Sequence, residues 1–411
     1  MKILLVTNYY EPEVGAPQRR WANLAQRFTA AGHQLCVLAP VPHYPSGTAS
    51  ESTLRAHPVG RLKNGNHGET IVRVPFREYS ESMASLLLDQ GVNSAGSVAQ
   101  AARWFSGTGR RPDVVIASIP GLPTMLAGQA IARLFRIPLV AEMRDAWPDL
   151  ISDGGLLRGL MRGVPGAERL EGAMMSFFTW LQRHSSLVVT TTESFAGALR
   201  SRGIAQTVAV RNGSEVPAVA DHREAPRSPD EFHALYLGTV GRSQDLDTAV
   251  RAACRAADLG TPITLRIVGA GASSAELRRL ANELNAPVEF SPPVEPEELS
   301  RAYAWADTHI VSLRDWPAFG MTVPSKLYEV MGTGHHVSGV LTGEAAQIVN
   351  AARAGDVVTP GDHRALGDLW AKLHADRSRL AADRHGRAWI AAHADYDALA
   401  SRYLNILEEL V

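Results

Sequence analysis

The feature that most restricts this chain is a rhythm that runs through it twice: a short aliphatic run, a stretch long enough for a crossover helix, then another aliphatic run. In the first pass, residues 2–9 read as a buried strand, 16–31 as an amphipathic helix ending at Gly32, and 34–39 as a second strand. Glycine permits the left-handed turn that commonly closes a helix. Further strand-like runs follow at 71–74, 114–117, 139–142, 187–190 and 208–210. Most are separated by helix-length segments, and that alternation predicts a parallel, doubly wound sheet.

Between residues 217 and 230 the sequence PAVADHREAPRSPD turns polar and proline-rich and loses apolar periodicity, as an interdomain linker does. The rhythm then restarts, with strands at 234–237, 264–268, 288–290 and 308–311, helices at 247–257 and 274–284, and a third helix from near Pro324. The expected fold class is therefore α/β with two Rossmann-like doubly wound domains, residues 1–216 and 232–388. Trp389, Ile390, Tyr396, Leu399, Tyr403, Leu404, Leu407 and Leu410 recur near helical spacing, so residues 389–411 predict a terminal helix that crosses back onto the first domain.

A chain of 411 residues exceeds what one core usually serves, which agrees with two domains. A formal net charge of -1 leaves no cationic excess for a polyphosphate partner, so nucleic acid is excluded as the expected ligand. Cys36 and Cys254 stand far apart and outside any CxxC pairing, which fits a reducing compartment and supplies no zinc site. The apolar run at the start is too short for a secretory signal, and no stretch of about 20 apolar residues is present to span a bilayer. A cytoplasmic protein, soluble or peripheral on the inner face of the cell membrane, is expected.

In open α/β sheets ligands gather outside the carboxyl ends of the strands, so the loops there hold the candidate residues. After the first strand, the loop Glu11 to Pro17 carries Gly15 ahead of a helix, where backbone N–H groups could meet an anion or the glycine could serve a tight turn. The loop Gly238-Thr239-Val240-Gly241-Arg242 adds a cation to two glycines, a combination suited to phosphate. Gly269-Ala270-Gly271 has the same shape without a charge and reads equally as a plain strand exit.

The densest constellation runs from Phe319 to Gly332. Pro324 suits the first helical position, which sets Ser325 and Lys326 at the positive end of a helix dipole. Glu329 follows one turn on, and its carboxylate can accept two hydroxyl hydrogen bonds. The same two residues could instead form an ordinary surface i,i+3 pair. A further helix start at Gly343-Glu344 offers another oxyanion site. His335-His336 lacks further ligands at metal spacing and reads as packing; no metal site is expected.

These strings, in this order, resemble the retaining glycosyltransferases of family four, of the GT-B fold, and especially their bacterial cell-surface polysaccharide subgroup. The resemblance spans nearly the whole chain and rests on GAPQRR, AGHQLCVLAP, VPHYPSG, AEMRDAWPD, VRNGSE, YLGTVGRSQDLDTAV, LRIVGAG, VPSKLYEVMGTG and GEAAQIV. It implies two domains facing across a cleft, a nucleotide-sugar donor with UDP favoured, and a glycan, lipid-linked or small-molecule acceptor. It also implies Lys326 and Arg242 near the diphosphate, Glu329 on the ribose, and Gly15 completing the phosphate site; Gly241, Ser325, Gly343 and Glu344 are the other donor-binding candidates. Transfer with retention is implied as well; no carboxylate pair such as DxD stands after a suitable strand in the cleft loops, so no metal or cofactor is expected.

The chain departs from the family where the first of two glutamates spaced by seven residues is replaced by Met321. No nucleophile is assigned; Arg144, Asp145 and His43 are candidates for sugar or acceptor contact, with a structural ion pair and a satisfied loop histidine as their plainer roles. Residues 156–183 are strongly apolar and mildly basic, fitting either a membrane carrying a lipid-linked acceptor or internal packing. A nucleotide-sugar 2-epimerase and a nucleotide-binding module without catalysis share the same architecture and remain the alternatives.

Overall fold

The computed structural model describes residues 1–80, 82–107, 109–119, 122–146, 149–150, 167–214, 230–381 and 385–411. The chain forms two compact units, one made of residues 1–212 and 396–411, the other of residues 213–395.

In the first unit the chain runs β1 (Lys2–Thr7), α1 (Ala16–Ala30), β2 (Gln34–Pro40), α2 (Glu51–Ala56), β3 (Leu62–Asn64), β4 (Thr70–Val74), α3 (Met83–Phe105), β5 (Val114–Ile119), α4 (Leu122–Phe135) and β6 (Leu139–Met143). Helix α5 (Ala167–Arg183), β7 (Leu187–Thr190), α6 (Glu193–Ser201) and β8 (Thr207–Ala209) complete it before the exit. The eight strands lie in the order β3-β4-β2-β1-β5-β6-β7-β8, parallel apart from the β3–β4 pair. Ile3 stands beside Leu35 on one neighbour and Val114 on the other, and five of the six residues of β1 are buried. A strand covered by apolar neighbours on both edges and both faces has no use for polar alternation, and its sequence shows none.

The second unit runs β9 (Phe232–Leu237), α7 (Asp247–Asp258), β10 (Ile263–Val268), α8 (Ser274–Glu283), β11 (Val288–Ser291), α9 (Leu299–Trp305), β12 (Thr308–Ser312), α10 (Ser325–Thr333) and β13 (His336–Val340). Then come α11 (Gly343–Ala352), β14 (Gly355–Val358), α12 (His363–Ala375) and α13 (His385–His393). Its sheet is ordered β11-β10-β9-β12-β13-β14, all parallel. Successive strands step outward in one direction from β9 and in the other from β12. The crevice at the carboxyl ends of β9 and β12 is therefore the topological switch point where such sheets bind ligands.

The terminal apolar run divides into two helices. Trp389 lies on α13 and stacks on Tyr328 of α10, 6.0 Å between centroids, inside the second unit. Helix α14 (Tyr396–Glu408) belongs to the first unit, where Tyr403 packs between Trp21 and Phe28 of α1 at 6.3 and 5.8 Å. Arg27 joins α1 to Asp397 of α14 at 2.5 Å. The single helix expected over 389–411 is broken at Ala394-Asp395, an aspartate being a residue type that starts helices.

Beneath α1, Arg20 is almost wholly sealed, at 1% side-chain exposure, against a Glu142 carboxylate at 0%. Its Nε donates to Glu142 Oε1 at 3.1 Å, and its terminal nitrogens donate to the carbonyls of Val210 and Arg211. Burial works against the Arg20 charge, but Glu142, together with Tyr403 and Tyr396, outweighs it and raises the Arg20 pKa above its ordinary value. One side chain thus ties α1, β6 and the chain's exit from the first unit together.

Candidate donor site

The second unit places three glycine-bearing loops at its switch point. Gly238 donates its N–H to the Val268 carbonyl and Val240 to that of Ala270, so the loop after β9 runs alongside the loop after β10. A Cβ on Gly269, whose φ is +146°, would lie 1.8 Å from the Gly238 oxygen, and one on Gly271 would lie 2.3 Å from the Val240 oxygen. These glycines are required by backbone packed on backbone. The same holds at the start of α11, where a Cβ on Gly343 would stand 1.9 Å from the Gly320 oxygen.

Helix α10 begins beside this stack. Pro324 is its N-cap, one residue earlier than the sequence suggested, so Ser325 and Lys326 are the first two helical residues. Leu327, Tyr328, Val330 and Met331 face the core, which turns Ser325, Lys326 and Glu329 outward together. The first turn holds no acidic residue and no side-chain cap, so neither of these meets the positive end of the helix. Lys326 Nζ donates to Glu329 Oε2 at 2.8 Å, and a Cβ on Gly238 would lie 3.8 Å from Lys326 Cε. The sequence reading did not include Tyr303 of α9, whose hydroxyl donates to Glu329 Oε1 at 2.6 Å and accepts from Lys326 Nζ at 3.2 Å.

Gly241 and the exposed Arg242 open a short 3-10 turn, with Gln244 Oε1 accepting the Gly241 N–H at 3.1 Å. They line a groove of about 560 Å³ with Asp245, Ser273 and Arg314. Arg314, also absent from the sequence reading, pairs with Asp245 at 2.8 Å. At α11 the buried Glu344 stands in the first turn, so a resident carboxylate already meets that helix end. Both ring nitrogens of His336 are committed, to Thr308 and to Asp356.

Comparison with known proteins gives this geometry a family. Residues 15–213 match the glycosyl transferase 4-like domain and residues 231–376 the glycosyl transferases group 1 model. An Escherichia coli protein described as a putative colanic acid biosynthesis glycosyl transferase, WcaI, is 24% identical over 367 residues, 84% of each chain. The chain belongs to glycosyltransferase family four. The GT-B fold of this glycosyltransferase is shared with sucrose-phosphate synthase from Thermosynechococcus elongatus, at TM-score 0.73, 17% identity and coverage of 100% of this chain and 98% of that one. It is shared also with Anabaena HepE in complex with UDP-glucose, at TM-score 0.69 and 16% identity over 100% of both chains.

In the first unit of this glycosyltransferase the loop after β1 is occupied by its own contacts. Glu13 Oε1 accepts the backbone N–H groups of His43 and Tyr44, both at 2.8 Å, and Glu13 Oε2 accepts from Gln18. Gly15 caps α1 in extended conformation, and a Cβ there would stand 2.5 Å from Gln18 Oε1. His43 is buried, with Nδ1 on the Val41 carbonyl at 2.6 Å and Nε2 on Asp89 at 3.1 Å. Burial lowers its affinity for a proton, but these hydrogen bonds prevail and raise its pKa above the ordinary value. Both ring nitrogens are thereby turned inward, the satisfied arrangement of a loop histidine.

Arg144 and Asp145 follow β6, half-buried, and no ion pair joins them among the described residues. The Arg144 carbonyl accepts from Thr191 at 2.8 Å, and its Nε has no hydrogen-bond partner among those residues. Of the apolar segment 156–183, residues 156–166 lie outside the described residues. Along α5, Phe177 and Trp180 stack with an 8° interplanar angle, each 41% exposed, while Phe178 and Leu181 are buried. No helix among the described residues is long and apolar enough to cross a membrane.

Proposed function

We propose that this glycosyltransferase transfers a sugar from a UDP-sugar, with retention, to a glycan or lipid-linked acceptor in surface polysaccharide or glycolipid synthesis. The single observation that carries the reading is the cluster of Lys326, Glu329 and a helix end without a first-turn acid or side-chain cap, beside Gly238 at the switch point. A diphosphate fits the helix end and Lys326, with Arg242 from the neighbouring turn, and a ribose presents adjacent hydroxyls to the Glu329 carboxylate. HepE, which has this fold, is seen with UDP-glucose, and WcaI is described as a putative glycosyl transferase of colanic acid biosynthesis.

In the reaction the bond from the anomeric carbon to the diphosphate breaks and a bond to the acceptor oxygen forms on the same face. The acceptor's proton passes to the departing phosphate oxygen, and Lys326 stabilises the charge that develops there. Two cations and a helix dipole meet the diphosphate, so this reading requires no metal. The exposed Phe177–Trp180 pair, with Arg169 and Arg183 on the same helix, supplies a face for a membrane bearing the acceptor.

The test is UDP release from a panel of UDP-sugars, with EDTA present, and acceptor lipid in anionic vesicles. Turnover with one UDP-sugar is expected, and replacing Phe177 and Trp180 together by serine should cut vesicle binding roughly tenfold. Absence of turnover with every UDP-sugar, while a GDP- or dTDP-sugar is consumed, would refute the donor assignment; unchanged vesicle binding would refute the membrane face.

A further inference from the structure

The phenol of Tyr303 occupies a position that its burial alone does not explain. The residue is 4% exposed, and its ring packs edge-on against His309 at 5.2 Å, which in turn meets His335 at 4.9 Å. Its hydroxyl closes a triangle, Lys326 Nζ on Glu329 Oε2, Tyr303 hydroxyl on Glu329 Oε1, and Lys326 Nζ on the Tyr303 oxygen, and the same ammonium stands 5.8 Å from the centre of the Tyr303 ring. Lys326 and Glu329 are only 21% and 25% exposed, so their pairing is more than a solvated surface contact.

A donor that takes Lys326 to its diphosphate breaks two sides of that triangle. The remaining side is the charge-assisted hydrogen bond from Tyr303, at 2.6 Å. We propose that Tyr303 is a positioning residue for donor binding: it holds Glu329 Oε1 when Lys326 departs, keeping Oε2 turned to the ribose hydroxyls. The inference rests on the donor reading above. It gives the chain discrimination for a ribose with free hydroxyls, because a loosely held carboxylate would lose the geometry for that contact while a merely packed tyrosine would not affect it.

Calorimetric titration with UDP and with 2′,3′-dideoxy-UDP separates these roles. Tyr303→Phe keeps the ring on His309 and removes one hydrogen bond to a charged group, so UDP affinity should fall roughly tenfold. Affinity for the dideoxy analogue should change less than about twofold, KM for the donor should rise about tenfold, and kcat should stay within about threefold. Glu329→Ala in the same series should abolish the preference for UDP over its analogue.

Equal losses for both ligands in Tyr303→Phe, or a fall in kcat with KM unchanged, would reduce Tyr303 to packing and overturn the proposal. Wild-type UDP affinity in Tyr303→Phe would do the same. If Glu329→Ala also binds UDP as the parent does, the donor reading itself falls; if Glu329→Ala weakens binding and Tyr303→Phe does not, only the role of Tyr303 falls.

Discussion

Lys326→Ala is expected to lower kcat/KM by about two to three orders of magnitude, the loss typical of removing a group that stabilises charge developing in a transition state. Most of that loss should appear in kcat, because charge on the leaving diphosphate grows as the glycosidic bond breaks. Glu329→Ala is expected to act differently. Its carboxylate meets ribose hydroxyls in ground and transition state alike, so KM should rise by about tenfold or more with kcat less affected. Lys326 and Glu329 are both half-buried on the outer face of α10, away from the packed Leu327, Tyr328, Val330 and Met331. The thermal midpoint of each variant should therefore stay near that of the parent. Full activity in both variants would remove the site.

Arg20→Met is expected to produce the largest loss of stability. It leaves the Glu142 carboxylate sealed in the interior without its cation, where Oε2 already lacks a hydrogen-bond partner among the described residues. Removing one member of a buried ion pair costs about 3–5 kcal/mol, and the Val210 and Arg211 carbonyls lose their donor in the same step. The double variant Arg20→Met, Glu142→Leu should recover a large part of the loss, since a buried pair replaced by apolar groups of similar volume is often neutral. Denaturant unfolding followed by a probe in the first unit measures this, because two units need not unfold as one transition. An Arg20→Met protein as stable as the parent would show that the pair contributes nothing.

How much of this could be read from the sequence depends on the range of the interaction. Strands such as β1 and β5 were legible because both edges and both faces are covered, which favours long aliphatic runs such as ILLV and VVIA. Strands β13 and β14 were not: HVSGV and GDVV carry too little aliphatic sequence to stand out. Lys326 and Glu329 were legible because one helical turn joins them. Tyr303 lies 26 residues from Glu329, and only the meeting of α9 with α10 brings it there. Arg20 had no signal of its own, being a cation set in the buried stripe of α1 beside Trp21 and Leu24. The glycines at 269 and 271 were visible as a loop, but the reason for them, backbone apposition to Gly238 and Val240, exists only in three dimensions.

His43 shows the limit from the other side. A histidine in a loop near a predicted site invites a catalytic role, yet its neighbours Val41 and Asp89 hold both nitrogens, and Asp89 comes from a helix 46 residues away. Nothing in VPHYPSG could have told these cases apart.

The measurement that bears most directly on the donor site is a crystal structure of the protein with UDP bound. The account predicts ribose hydroxyls within hydrogen-bond distance of Glu329, the diphosphate at the first turn of α10, and Lys326 Nζ withdrawn from Glu329 Oε2 toward phosphate. UDP bound elsewhere, with the Lys326–Glu329 contact still at its 2.8 Å, would contradict it.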